Sequence, residues 1–248
     1  MVKKMKFGKI LTTRVGEILD FCFPRYCMAC GMRLYSGEEG LCASCLLEMP
    51  LLRYSSFEDN PMVRRFWGIL PVERAMALFH YHPNSNFTNI LMEMKYRHNI
   101  KACRLMGRFV ARHLKAKDFF LGMDFIIPVP LAKDRQKSRG YNQSEEMARG
   151  ISEVTGIPLR TDVVFRVVSN VSQTQLGVRE RQENVRHIFQ LSSGISLDGF
   201  HILLVDDVMT TGATLLSCAE TLMEGNPSKI SILTLAQAGD VRGYLNVF

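Results

Sequence analysis

The sequence predicts an α/β protein: a doubly wound, mostly parallel sheet preceded by a small module held together by cysteines. Three observations carry that expectation. Ile202 to Val205 form an unbroken apolar run that ends in Asp206 and Asp207 and is followed by apolar residues at helical spacing. Phe125 to Pro130 (FIIPVP) opens a second unit of the same kind. Cys27, Cys30, Cys42 and Cys45 form two CxxC pairs with eleven residues between them. A short continuous apolar run suits a strand buried on both faces, and strands that alternate with helices build parallel sheets.

The 248 residues leave room for one large domain and one small module. The module is expected at residues 20–55 and the larger domain at 72–248. A formal charge of +7 favours anionic ligands, phosphates or nucleic acid, without choosing between them. No run approaches the ~18 apolar residues of a membrane span. The first residues are basic but lead into no unbroken apolar core and no small-residue cleavage site, so they do not read as a signal peptide. Leu11, Val15, Ile18 and Leu19 instead predict a short amphipathic helix packed on the protein. A cytoplasmic location is expected, and the seven cysteines then need a use other than disulfides.

Each CxxC makes a tight turn that aims two sulfurs at one point. Two such turns supply the four thiolates of a structural zinc site; the plainer alternative is four unrelated thiols or a redox pair. Four protein ligands leave no open position, so the expected Zn²⁺ is structural. It would supply about 10–16 kcal/mol of folding free energy to a module too small for its own core. Gly37 and Gly40 permit a hairpin between the pairs. Cys103 and Cys218 fall in helical segments and read as packing residues, while Cys22 lies close to the zinc set.

From Pro50 to Pro71 the pattern is irregular but rich in large apolar residues, which predicts a connector packed on the larger domain. Trp67 within it reads as a core residue in preference to a base-stacking platform. Ala75 to Tyr81 predicts a strand and Pro83-Asn84 a turn. Phe87, Ile90, Leu91 and Met94, then Ala102, Leu105, Met106, Phe109, Val110 and Leu114, predict two amphipathic helices. Lys95, Tyr96, Arg97 and His98 between them form a basic contact patch or, by default, a solvated helix end.

After the strand FIIPVP come Lys133, Arg135, Lys137 and Arg139 within seven residues, then Gly140. They predict a basic loop at the carboxyl edge of the sheet, where open α/β sheets bind ligands; a merely solvated loop is the alternative. A helix is expected from about Ser144, with Met147, Ala148, Ile151 and Val154 facing inward. Val163 to Val168 predicts a strand. Asn170 to Asn184 is polar without an apolar stripe and suits a mobile lid or a plain exposed loop. Asp198-Gly199 predicts a turn and Ile230 to Leu235 a last strand.

Between those two lies the unit that carries most chemistry. After Asp206 and Asp207 comes Thr210-Thr211-Gly212-Ala213-Thr214, then Leu215, Leu216, Ala219, Leu222 and Met223 at helical spacing. Gly212 permits positive φ, small neighbours keep side chains out of the way, and the helix start presents unpaired N–H groups and a positive dipole end. An anion such as phosphate fits there. The two carboxylates would repel it and suit hydroxyl donors or a metal ion nearby. Phosphate beside a diol points to a phosphorylated sugar. A Thr-capped helix after an acidic turn is the plainer alternative.

Apolar run, Asp-Asp, two residues, Thr-Thr-Gly-Ala-Thr: this order resembles the phosphoribosyl-pyrophosphate (PRPP) motif of type I phosphoribosyltransferases. PVPL, a basic stretch and RGYNQS narrow the resemblance to the competence protein ComF family, a zinc ribbon fused to a phosphoribosyltransferase domain. Ser172-Gln173-Thr174, followed by Leu176, Arg181, Asn184 and Phe189, is a third match, within the segment that forms a mobile hood in related transferases. Val168 and Asn170 depart from the family, which usually has arginine and threonine there. The resemblance implies a type I phosphoribosyltransferase-like fold behind a zinc ribbon. It implies that Asp206 and Asp207, the catalytic candidates, hold the ribose hydroxyls, and that Thr210, Thr211, Gly212, Ala213 and Thr214 cradle the 5′-phosphate. Lys133, Arg135 and Arg139 are the candidates for pyrophosphate, with Mg²⁺ accompanying PRPP. The implied function is phosphoribosyl transfer or PRPP sensing associated with DNA uptake. The alternative is a non-catalytic factor that binds single-stranded DNA and other competence proteins.

Overall fold

A computed structural model describes residues 24–167 and 188–239. The expected N-terminal helix, Cys22, the polar stretch 170–184 and the departures at Val168 and Asn170 lie outside the described residues.

The cysteine module comes first and closes with a short helix, α1 (Ala43–Glu48). The connector follows, and its Asn60 caps a single turn, α2 (Pro61–Arg64), through bonds from the Met62 and Val63 N–H groups. Asn60 also donates to the Ala75 carbonyl, which ties the connector to the first strand, β1 (Val72–His80). The connector packs as expected, except that Trp67 is not a core residue. Phe66 is buried, whereas Trp67 is 57% exposed beneath the Arg64 guanidinium. Consecutive residues at the end of one turn cannot both face inward, and Phe66 takes the core position.

Two amphipathic helices come next, α3 (Thr88–Tyr96) and α4 (Ile100–Lys115). They lead to β2 (Phe125–Pro128). The basic stretch expected as a loop is a helix, α5 (Lys133–Arg139), with no buried residue. Its residues are mostly good helix formers, and Gly140 at φ 78° stops it in the left-handed conformation. Then follow α6 (Gln143–Thr155), capped by Asn142, and an antiparallel pair, β3 (Val164–Arg166) with β4 (Phe189–Leu191). The chain continues through β5 (His201–Met209), α7 (Ala213–Met223) and β6 (Lys229–Gln237).

The sheet is parallel, in the order β1-β6-β5-β2. Beyond β2, the Ile126 N–H bonds to the Pro158 carbonyl and the Arg160 N–H to the Ile126 carbonyl, so the chain leaving α6 adds one parallel bridge on the outer side. The connection through α6 therefore moves outward from β2, and the connection through α7 moves from β5 the opposite way, to β6. Right-handed crossovers put these two helices on opposite faces, and the order reverses between β2 and β5. That is a doubly wound sheet with its switch point at the carboxyl ends of β2 and β5.

On the α6 face, α4 crosses at a glycine pair. A Cβ on Gly107 would stand 2.0 Å from the Met147 carbonyl oxygen, and one on Gly150 2.2 Å from that of Arg104. Only hydrogens allow this approach.

The cysteine module shares the same hydrophobic core. A Cβ on Gly40 would overlap the Leu105 side chain of α4 at 2.0 Å, and Asn89 of α3 donates to the Ala29 carbonyl inside the first CxxC turn at 2.8 Å. Cys103 and Cys218 are fully buried, as packing residues should be.

Candidate functional site: a polar cleft at the switch point and a four-cysteine cluster

A cleft of about 280 Å³ opens where the strand order reverses, lined by Val129 and Pro130 just after β2 and by Asp206, Asp207 and Val208 of β5. The carboxylates were expected beyond the end of the strand, but β5 runs through them to Met209, with Asp206 opposite Thr234 and Val208 opposite Ala236. Consecutive strand residues point to opposite sides, so the two acids meet different partners. Asp206 Oδ1 accepts from Ser144 Oγ at 2.8 Å, at the start of α6, and from the Asp207 N–H at 2.9 Å. Asp207 Oδ1 accepts from the Val208 N–H at 2.8 Å, and its Oδ2 lies 2.8 Å from Lys95 Nζ. That last contact is an ion pair rather than an aligned hydrogen bond.

Burial and the neighbouring Asp207 charge push the Asp206 carboxyl up to about 7, against the bonds from Ser144 and the Asp207 N–H. The acidic pair is therefore one in which the first carboxyl readily carries a proton near neutral pH.

Across the cleft stands α5. Arg135 and Arg139 are one turn apart, share a helix face and both line the cleft. Lys133 does not: two residues from Arg135 on a helix is the other side, and it lines a neighbouring hollow of about 190 Å³ with Arg160. Arg139 is held in place by Gln143 Oε1 at 2.7 Å and lies over the Tyr96 ring at 5.3 Å. Arg166 of β3 borders both hollows; burial, with Arg135 adding to it, lowers its pKa.

The far end of the cleft is the turn into α7, and Thr210 and Thr214 line it. Gly212 has φ 86° and begins the helix with no side-chain cap, so the first N–H groups of α7 are left largely unpaired. A Cβ on Gly212 would meet Met209 and Phe66 at 3.8 Å, ordinary contact distance. Thr211, Ala213 and Thr214 are exposed. Ala213 is within reach of Thr211 Oγ1 only at 3.4 Å.

Three cleft residues carried little sequence signal: Lys95, Ser144 and Arg166. Lys95 belongs to the basic patch Lys95–His98, and the structure pairs it with Asp207 instead of leaving it at a solvated helix end. Its signal was its place in the last turn of an amphipathic helix, one residue past the inward Met94.

The second site is the cluster of Cys27, Cys30, Cys42 and Cys45, whose sulfurs all lie within 4.8 Å of one another. The Cys42 N–H approaches Cys27 Sγ at 3.4 Å and the Cys45 N–H approaches Cys42 Sγ at 3.5 Å, so the turns already aim donors at sulfur. Burial raises the Cys27 thiol, but N–H groups from Cys30, Cys42 and Ala29 outweigh it and bring it down to about 7. Burial and the other thiols push Cys45 upward. Four sulfurs this close, one of them ready to ionise, fit a soft dication that would ionise the rest.

Fold and cleft together define an open α/β protein with a polar cleft at its switch point. The phosphoribosyl transferase domain model matches residues 101–243, and the chain belongs to that family. The fold is of the type I phosphoribosyltransferase kind, behind a four-cysteine module consistent with a zinc ribbon. Competence protein F from Haemophilus influenzae is 27% identical over 225 residues, covering 86% of this chain and 96% of that protein. DNA utilization protein YhgH from Salmonella typhimurium is 23% identical, covering 86% and 97%. Competence protein ComFC from Bacillus subtilis is 32% identical over 114 residues, 46% of this chain and 44% of that one. Among solved structures, the glutamine PRPP amidotransferase from B. subtilis, complexed with ADP and GMP, matches 62% of this chain at 21% identity with a TM-score of 0.39. This chain spans 28% of that structure's length. No helix among the described residues is long and apolar enough to cross a membrane.

Proposed function

We propose that the chain binds PRPP across the switch-point cleft and transfers or senses its phosphoribosyl group. The observation that carries this is one cleft with three chemistries in line: the acids of β5, the Arg135–Arg139 face of α5 and the uncapped start of α7. In this reading Asp206 and Asp207 accept from the ribose hydroxyls, and Thr210 to Thr214 surround the 5′-phosphate with backbone N–H groups. Arg135 and Arg139 meet the pyrophosphate, while Lys133, on the other side of α5, borders the neighbouring hollow. In transfer, an acceptor nitrogen would bond to the anomeric carbon as the bond to pyrophosphate breaks; the oxocarbenium-like ribose between them needs positioning, leaving-group neutralisation and exclusion of water, not a protein nucleophile. Mg²⁺, arriving with PRPP, would neutralise part of the leaving group's charge.

The reading divides the chain into a zinc ribbon at 20–55 and a transferase-like domain at 72–248, with Zn²⁺ on Cys27, Cys30, Cys42 and Cys45. The names of the relatives and the +7 charge support a role in DNA handling in the cytoplasm, with single-stranded DNA and other competence proteins as partners. Binding of single strands without turnover is the second reading, and it should weaken steeply with added salt.

Calorimetric titration with PRPP and Mg²⁺ tests the proposal. Asp207→Asn keeps the shape but removes a charged acceptor for about 1.5–3 kcal/mol per hydroxyl bond. PRPP should then bind roughly ten- to several-hundred-fold more weakly. Unchanged affinity in a folded Asp207→Asn protein overturns the assignment. Release of pyrophosphate from PRPP with a panel of bases separates transfer from sensing.

A further inference from the structure

We propose that Lys95 is a ligand-contact residue that changes partner: it neutralises Asp207 in the empty cleft and turns to the pyrophosphate when a ribose diol takes its place. The inference rests on the PRPP reading of the cleft.

The geometry isolates the contact. Asp207 has a side chain only 7% exposed, and its Oδ2 takes no aligned hydrogen bond among the described residues. What meets that oxygen is the Lys95 ammonium at 2.8 Å, on a side chain 25% exposed that borders the same cleft as Arg135 and Arg139. The backbone beneath it is pinned. Tyr96 lies under the Arg139 guanidinium, the His98 ring nitrogen Nδ1 is 2.9 Å from the Arg139 carbonyl, and His98 itself sits at φ 51°. The segment is fixed to the end of α5, while the lysine stem above it remains a flexible chain ending in three rotatable donors.

Charge accounting then sets the order of events. Asp207, a buried carboxylate beside a neighbour that readily carries a proton, needs a cation. A sugar diol brings hydrogen-bond donors but no charge. When it occupies Asp207, the ammonium loses contact with its counter-charge and must find another within its reach. Pyrophosphate, beside Arg135 and Arg139, is such an anion. A ligand with both groups satisfies acid and lysine together. A ligand with the ribose phosphate alone breaks the ion pair and leaves the ammonium unpaired. Lys95 thereby makes the cleft select the complete donor over ribose 5-phosphate.

The test is titration of PRPP, pyrophosphate and ribose 5-phosphate, each with Mg²⁺, into the wild-type protein and into Lys95→Met, with melting curves as the folding control. Loss of the lysine should weaken PRPP and pyrophosphate about ten-fold. Ribose 5-phosphate should bind no more weakly, because Asp207 no longer has to part from a cation. Lys95→Arg should recover part of the pyrophosphate affinity. Should Lys95→Met melt too low to titrate, Lys95→Arg serves instead, with PRPP several-fold weaker and ribose 5-phosphate unchanged. Equal losses for all three ligands would mean that Lys95 only neutralises Asp207, and unchanged PRPP affinity would mean that it meets no ligand; either overturns the inference while the PRPP reading stands. A wild-type protein that binds none of the three overturns both.

Discussion

The Arg65 guanidinium donates to the Thr210 carbonyl across 2.8 Å and reaches the Ala238 carbonyl at 3.4 Å. A residue of the connector thus bridges the ends of β5 and β6 and holds the first residue of the turn into α7. Phe66, its neighbour, comes within 3.8 Å of where a Gly212 side chain would begin. The segment that joins the cysteine module to the sheet is part of the wall behind the proposed phosphate cradle.

Arg65→Ala should therefore weaken PRPP binding by about three- to ten-fold, less than a buried charged bond would, because the guanidinium is exposed. Melting should change little. Arg65→Lys should not restore affinity, since one ammonium cannot span two carbonyls as a planar fork does. Titration calorimetry checks the pair.

Gly212 separates conformational from steric cost. Its φ of 86° penalises any side chain by roughly 1–2 kcal/mol, while an alanine methyl finds ordinary contact distances. Gly212→Ala should lose a few degrees of melting temperature and some PRPP affinity. Gly212→Val should lose more of both, because its added methyls crowd Met209 and Phe66, on the protein side of the loop rather than in the anion's space.

Asp206 gives a pH signature. Its folded-state pKa is raised to about 7, above the roughly 3.9 of an unfolded chain, so the folded state holds the extra proton between those values. Its ionisation thus subtracts stability as pH rises from about 4 to 7 and no further above that. Asp206→Asn, which mimics the protonated acid, should melt progressively higher relative to wild type across that window. Paired melting curves at pH 5 and pH 8 read this directly. A constant difference between the two proteins would show that Asp206 does not take up this proton.

For the cysteine cluster, elemental analysis should find about one zinc per chain. Because the module shares its core with α4 and Asn89 of α3 holds the Ala29 carbonyl, chelation or Cys30→Ser should lower the melting temperature of the whole described body in one transition. Two separate transitions, or no zinc after metal-replete expression, would contradict this.

Much of this was written locally. The four cysteines announce their cluster because each CxxC turn is closed by its own backbone. The run from Ile202 to Thr214 announces strand, acids and helix start because apolar continuity, a glycine and small residues act over a few neighbouring positions. The helices α3 and α4 follow from spacing alone. The stretch from Lys133 to Arg139 was legible as basic but not as helix, since no buried face imposes a period on it.

What only the tertiary structure decided is which distant residues meet. Lys133 parts from Arg135 and Arg139 once the stretch winds at 3.6 residues per turn. Phe66, not Trp67, enters the core because the turn before it offers one inward position. Gly107 faces Gly150, Arg65 reaches Thr210 and Lys95 reaches Asp207 across long separations in the chain. Nothing in the local pattern marks those partners, because their encounter depends on the path of the crossovers: β1 lies two strands from β5, and the helix that leaves it must travel back over the sheet before its last turn arrives at the acids.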